Sequence, residues 1–253
     1  MISTIPANYS AAPDLLKDKV ILVTGAGDGI GRAAAMSFAA HGATVILLGK
    51  TIKKLEAVYD EIETAGHPEP AIYPMKLGGA TWEDYQALAE TIEKEFGCLD
   101  GLLHNAAILG ERKTLRDTKP SDWSEVINVN LTSNFQLTKA LLPLLEKSSD
   151  ASIVFTTSSV GRKGRAFWGA YAVSKFGVEG LAQVLADELD NTTNIRVNCI
   201  NPGATNTAMR RMAYPAEYPG NNPFPEQIMP AYLYLMGMDS KGVNGGSFDA
   251  QRR

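Results

Sequence analysis

Short apolar runs alternate along this chain with longer segments of helical period. The first run, residues 19–24 (K-V-I-L-V-T), is continuously apolar, as in a strand buried on both faces. A helix is predicted over about residues 32–41, with Gly42 as its stop. Further strands are predicted at 43–48, 71–77, 99–104, 152–157 and 195–200, with a short last one at 246–249. Helices are predicted at 53–65, 82–96, 122–146 and 170–190. Pro143 falls near the end of the third of these. Such alternation predicts an α/β fold, a doubly wound parallel sheet with helices on both faces. No linker divides the pattern, so residues 16–253 read as a single domain. Residues 1–15 read as an N-terminal arm of undisclosed role.

Composition narrows the function classes. A net charge of -4 over 253 residues points to neither nucleic acid nor an anionic membrane as partner. No apolar run reaches spanning length, and residues 1–12 lack the basic start and apolar stretch of a signal peptide. Cys98 and Cys199 follow no metal or disulfide spacing, which fits a reduced, cytoplasmic setting. His41, His67 and His104 form no ligand cluster, so no metal is expected.

Two stretches carry chemistry. Directly after the first strand stands Gly25-Ala26-Gly27-Asp28-Gly29-Ile30-Gly31. Glycines there let the chain turn tightly and let backbone approach a pyrophosphate, while the next helix aims its N-terminal N–H groups at the anion. The pattern is T-G-x-x-x-G-x-G, not the common G-x-G-x-x-G. The second stretch, 158–175, holds Tyr171 and Lys175 four residues apart, one turn apart on one helical face. A nearby ammonium lowers the pKa of a phenol, and a phenol so tuned exchanges a proton with an alcohol or alkoxide. Ser158, on the loop leaving a strand, has a hydroxyl to offer the same substrate oxygen.

With both motifs, the chain resembles the classical short-chain dehydrogenase/reductase family over about residues 16–249. Thr24-Gly25-x-x-x-Gly29-x-Gly31 is similar to the family's cofactor loop, and His104-Asn105-Ala106-Ala107 to its Asn-Asn-Ala-Gly motif. Asn128-Val129-Asn130-Leu131 resembles the segment of its active-site asparagine, and Ser158 precedes Tyr171 by the usual 13 residues. Asn201-Pro202-Gly203 and Thr207 look like the turn at the nicotinamide end. The resemblance implies a Rossmann-like fold and an oxidoreductase that reduces a small-molecule carbonyl or oxidises a secondary alcohol. Tyr171 would be the general acid or base, Ser158 would polarise the substrate oxygen, and Lys175 would lower the tyrosine pKa and hold the ribose. Asn130 would hold a relay water. Cofactor contacts would come from Gly25, Asp28, Gly29, Ile30, Gly31, Lys50, Thr51 and Leu77. Asn105, Ala106, Ala107, Tyr171, Lys175, Pro202, Gly203, Thr205 and Thr207 would complete them. The alternative is a cofactor-bound sensor of the same fold with little turnover.

The chain departs from the family's pattern in places. His104 and Ala107 replace asparagine and glycine, and Lys76 stands where an aspartate commonly touches adenine. No acid follows the second strand; Lys50 there suits the 2′-phosphate of NADP(H), with Lys53 and Lys54 close behind. Asp28 opposes that choice, so NADP(H) is expected over NAD(H) with NAD(H) still possible. Residues 208–226 read as a loop suited to an active-site lid. Arg210 and Arg211, and the segment 162–165, are open between anion contacts and solvated charge. Resembling proteins pair two of their helices across a twofold axis, and Ala172, Gly177, Gly180 and Ala182 would permit close approach there. A homodimer or homotetramer is expected.

Overall fold

The computed structural model describes residues 2–251. Its strands are β1 (Ile2–Ser3), β2 (Val20–Thr24), β3 (Thr44–Gly49), β4 (Ala71–Pro74), β5 (Gly101–His104), β6 (Ala151–Thr156), β7 (Ile195–Asn201) and β8 (Ser247–Asp249). All pair in parallel in one sheet of order β1-β8-β7-β6-β5-β2-β3-β4. The chain winds outward from β2 in one direction and from β5 in the other. The crevice beyond the carboxyl ends of β2 and β5 is therefore the switch point where α/β sheets bind ligands.

Helices cover both faces, as the alternation predicts. On one face α1 (Gly29–Ala40), α2 (Ile52–Thr64) and α8 (Met229–Met236) pack around Phe38, Leu55 and Tyr232. On the other, α3 (Trp82–Phe96), α5 (Ser133–Leu145) and α6 (Gly169–Leu189) pack around Tyr85, Leu141 and Val178. The middle strands β6 and β7 are buried at every residue, including the polar Arg196, Asn198 and Asn201 of β7, which find partners inside the fold.

Several boundaries differ from expectation for identifiable reasons. Helix α1 starts at Gly29, not Arg32, because two of the loop glycines form its first turn. Strand β4 stops at Pro74, and Leu77–Gly79 forms a 3-10 turn instead of strand. The long helix expected at 122–146 is α4 (Pro120–Ile127) and α5 joined through a π turn at Asn128–Thr132. Such turns concentrate at functional sites, and this one carries Asn130. The expected loop 208–226 contains the short helix α7 (Ala208–Ala213), capped when the Thr207 hydroxyl accepts from Arg210 N at 3.1 Å.

The N-terminal arm has a structural place. Ile2 and Ser3 pair with Ser247 and Phe248 at the sheet edge. Tyr9 then donates to Asp239 at 2.7 Å and meets Tyr234 edge-on at 5.1 Å, which holds the arm against α8.

Candidate active site

The switch point is built by close backbone approach. At the end of β2 the Thr24 hydroxyl accepts from Asn105 N at 2.9 Å and Ala106 N at 3.0 Å. It donates to Leu103 O at 3.2 Å, so one side chain ties the tips of β2 and β5 together. Gly25 has φ +69° and stands where a Cβ would lie 3.1 Å from Ala106 Cα. Gly31 lies beneath, and a Cβ there would collide with the Gly25 carbonyl oxygen. The loop thus curls over the first turn of α1, whose N–H groups face the crevice.

A groove of about 550 Å³ runs along these carboxyl ends. Gly25, Asp28, Gly29 and Ile30 line it from the glycine loop, Lys50 and Thr51 from the end of β3, and Leu77 from the turn after β4. Asn105, Ala106 and Ala107 form its middle, and Tyr171, Lys175, Pro202 and Thr207 its far end. The other expected contacts do not line it. Gly31 is buried under the loop, and Gly203 and Thr205 build the turn instead of facing the groove. Gly203 has φ +72°, and Thr205 donates back to Pro202 O at 3.2 Å. Gln251 braces the same turn, donating to Pro202 O and Ala204 O, each at 2.8 Å.

The polar cluster at the far end rests on α6. Lys175 is buried and donates to Thr156 O at 2.7 Å, with its ammonium 5.8 Å from the centre of the Tyr171 ring. Burial lowers Lys175 to about 8, so its charge is not permanent. Burial raises the Tyr171 phenol to about 12, and the Ser158 hydroxyl draws it only partly back. The expected lowering of Tyr171 by Lys175 is therefore corrected: desolvation outweighs it, and Lys175 spends its hydrogen bond on Thr156. Ser158 caps the turn Ser159–Gly161, accepting from Val160 N at 3.4 Å.

Asn130 does not use its side chain for a water. Its Oδ1 accepts from Ile108 N at 2.8 Å, and its Nδ2 donates to Ile108 O at 2.9 Å and Ser174 Oγ at 3.1 Å. It clamps the segment after β5 to α6, which leaves only its main-chain carbonyl, already accepting from Asn134 Nδ2 at 3.0 Å, for another partner. His104 is packed. It stacks on Phe155 at 4.5 Å, its Nε2 meets Thr138 Oγ1 at 2.8 Å, and burial lowers it to about 3.

The two basic segments resolve differently. Arg162 turns inward to Glu179 at 3.2 Å and Asp249 at 2.7 Å, tying the Ser158 loop to α6 and β8. Arg210 pairs with Glu217 through two bonds of 2.6 Å and lies 3.9 Å from the Tyr214 ring centre. Arg211 is exposed and donates to Asn206 Oδ1 at 3.0 Å. Arg112, unmarked in sequence, is the clasp. Its guanidinium lies 4.7 Å from the Trp168 ring and 5.1 Å from that of Tyr214, and it donates to Ala213 O. Trp168 is 5.7 Å from Tyr171, so this stack joins the loop after β5, the entry to α6 and the end of α7 beside the phenol. Thr157 and Gly161 were missed as well. Thr157 has a buried hydroxyl with no partner among the described residues, on the groove wall. Gly161 leaves room for Lys175, whose Cβ would be 2.8 Å from an added carbon.

Comparison with known proteins agrees with this geometry. Residues 19–217 match the family model described as short chain dehydrogenase. The oxidoreductase YciK of Escherichia coli is 52% identical over 244 residues, 96% of either chain. A short chain dehydrogenase structure from Pseudomonas syringae is 59% identical with a TM-score of 0.95, covering 96% of this chain and 99% of its own. One from Escherichia coli, complexed with NADPH, is 52% identical with a TM-score of 0.93, covering 96% and 100%.

Removing the clasp should free α7. Arg112→Ala is expected to speed tryptic cleavage at Arg210 and Arg211 about tenfold, the loss of two cation–π contacts and a hydrogen bond. Arg112→Lys keeps the charge without the flat face and should restore little of the protection. Cleavage at the wild-type rate in Arg112→Ala would show that the stack does not hold α7.

Proposed function

The chain belongs to the short-chain dehydrogenase family, and from that footing we propose that it uses NADP(H) to reduce a small-molecule carbonyl to a secondary alcohol, or to run the reverse. The observation that carries the reading is Tyr171 and Lys175 at one end of a groove, with the Ser158 hydroxyl bonded to the phenol, and Lys50 and Thr51 at its other end. The groove suits a dinucleotide. Its glycine loop packs backbone against the segment after β5 and keeps side chains off the groove floor, and the unpartnered Thr157 hydroxyl lies on its wall. The pyrophosphate belongs over the loop at the start of α1, the 2′-phosphate at Lys50 and Thr51, and the nicotinamide ribose at Tyr171 and Lys175. The NADPH complex of the Escherichia coli relative supports that choice over NAD(H). Leu77 offers backbone to the adenine in place of the aspartate that Lys76 replaces.

Bound there, NADPH would supply the hydride to the carbonyl carbon. The protein handles the proton and the charge. Ser158 donates to the carbonyl oxygen and polarises it. Tyr171 passes its phenolic proton to that oxygen as it becomes an alkoxide. A phenol raised to about 12 stays protonated at neutral pH, as a proton donor in carbonyl reduction must. Lys175 steadies the phenolate through its charge and hands it a proton to restore the phenol, then takes a replacement from solvent by way of a relay water at Asn130. The described part of the chain, from residue 16 on, works as one domain.

An assembly of two or four copies fits the surface of α6. Ala172 and Ala182 are buried within the chain and Gly177 packs on Leu131, so these small residues serve the fold itself. The outward stripe is Val173, Phe176, Gly180 and Val184, at helical spacing, with Phe135 exposed on α5. Cys98 and Cys199 are free, which supports a reducing compartment, the cytoplasm. No helix among the described residues is long and apolar enough to cross a membrane.

Three outcomes test the reading. Tyr171→Phe is expected to lose at least about a hundredfold in kcat across a panel of ketones and aldehydes while binding NADPH normally. Retention of more than half the wild-type rate removes Tyr171 as the proton donor. The pH profile of kcat/KM for reduction should be flat to about pH 8 and fall above it, as Lys175 loses its proton. Stability should move the opposite way. Between about 8 and the unfolded lysine value of about 10.4 the unfolded chain binds the extra proton, so this group's contribution to stability rises with pH. A rate that holds to pH 10 contradicts the assignment. Light scattering at micromolar concentration should give a dimer or tetramer; a monomer removes the assembly.

A further inference from the structure

Asp28 is the one acidic side chain of the glycine loop, and it lines the groove near Lys50 and Thr51. Standing alone it would repel a phosphate carrying nearly two negative charges. It does not stand alone. Lys54, in the first turn of α2, places its amino group 2.5 Å from the Asp28 carboxylate. That contact is the foremost reason the carboxyl sits below its usual range, with Arg211 adding a smaller pull. Lys50, by contrast, has no carboxylate partner among the described residues.

The loop is shaped for the pair. A Cβ on Gly27 would lie 2.9 Å from Lys54 Cβ and 3.5 Å from the Lys54 carbonyl carbon. Gly27 does not have the positive φ of Gly25 and Gly29, so space and not backbone freedom asks for glycine there. It is also outside the T-G-x-x-x-G-x-G pattern. The bare backbone at Gly27 lets the stem of Lys54 lie across the loop, with its amino group beside Asp28.

We propose that Lys54 sets cofactor preference by cancelling Asp28, not by touching the 2′-phosphate, and that Gly27 exists to seat it. The proposal rests on the NADP(H) reading. With the pair intact, Asp28 and Lys54 sum to zero and Lys50 leaves one net positive charge for the phosphate. Without Lys54, Asp28 is offset only by the weaker pull of Arg211, and its repulsion works against the attraction of Lys50. NADH, which carries a ribose hydroxyl at this point, is indifferent to the change.

The test is a double-mutant cycle read as dissociation constants for NADPH and NADH at low salt. Lys54→Gln is expected to weaken NADPH by about tenfold, the scale of one unscreened charge a few ångströms away, and to leave NADH within about twofold. Lys54→Gln with Asp28→Asn should return NADPH to within about twofold of wild type, because a neutral residue 28 needs no partner. Gly27→Ala, which displaces the lysine stem, should weaken NADPH in the same way and be rescued by Asp28→Asn. If the double variant binds NADPH as weakly as Lys54→Gln, the lysine contacts the phosphate directly and the proposal is wrong. Equal weakening of NADH in Lys54→Gln also overturns it, since the pair would then only hold the loop in shape. Wild-type protein that binds NADH as tightly as NADPH would instead overturn the NADP(H) reading, whatever the variants do.

Discussion

A carbon atom added to Gly31 would meet the carbonyl oxygen of Gly25, and one added to Gly25 would crowd Ala106. No side chain fits between the tips of β2 and β5, and the rest of the site is laid out from that contact. It brings the glycine loop against the segment after β5, where the Thr24 hydroxyl satisfies two backbone N–H groups at once. The first turn of α1 then opens onto the crevice, where the Asp28 carboxylate takes the Gly29 N–H. The segment held by Thr24 continues to Ile108, which Asn130 grips through both ends of its amide. Asn130 in turn bonds Ser174 on α6, one residue before Lys175. A chain of contacts thus runs from the glycine loop to Tyr171 and Lys175 without leaving the backbone of the switch point by more than one side chain.

Burial sets the chemistry at the other end. It pushes Tyr171 toward keeping its proton and Lys175 toward losing one, so at neutral pH a phenol stands beside an ammonium, and only the phenol is far from the phenolate that alcohol oxidation needs. A carbonyl oxygen acquiring charge beside them would draw the phenolic proton with little competition from water. The price of this arrangement is a lysine held almost wholly out of solvent, with a single main-chain carbonyl as hydrogen-bond partner. The Arg162 network, which fastens the loop of Ser158 to Glu179 and Asp249, keeps the third polar group from drifting away from that pair.

Much of this was readable in the chain itself, and the exceptions share a cause. Strands such as β2 and β3 showed themselves because both faces are buried, which leaves a nearly continuous apolar run. Ser158, Tyr171 and Lys175 showed themselves because helical spacing and a strand exit are local facts. Helix α8 had no visible boundary. Seven of its eight residues are buried, so it lacks the polar face that marks a helix in sequence. The π turn at Asn130 leaves no trace in apolar period, and Gly29 and Gly31 looked like loop because glycine seldom opens a helix. Arg112, Thr157 and Gly161 acquire meaning only from neighbours distant in sequence. The small residues of α6 misled for the same reason: spacing marks a helix face, and not which neighbour that face meets.

The edge of the sheet has a consequence for how the molecule comes into being. Ile2 pairs with Ser247, so an early segment finds its place only beside one of the last. Gln251, later still, braces the turn at Pro202 that closes the far end of the groove. On a ribosome the central strands can assemble as they emerge, but the arm must wait and the turn stays unbraced until residues 247–251 follow. The capacity to grip a cofactor would then appear abruptly, once residues 247–251 have emerged, and a nascent chain stalled short of β8 would carry a nearly complete sheet around an unfinished cleft.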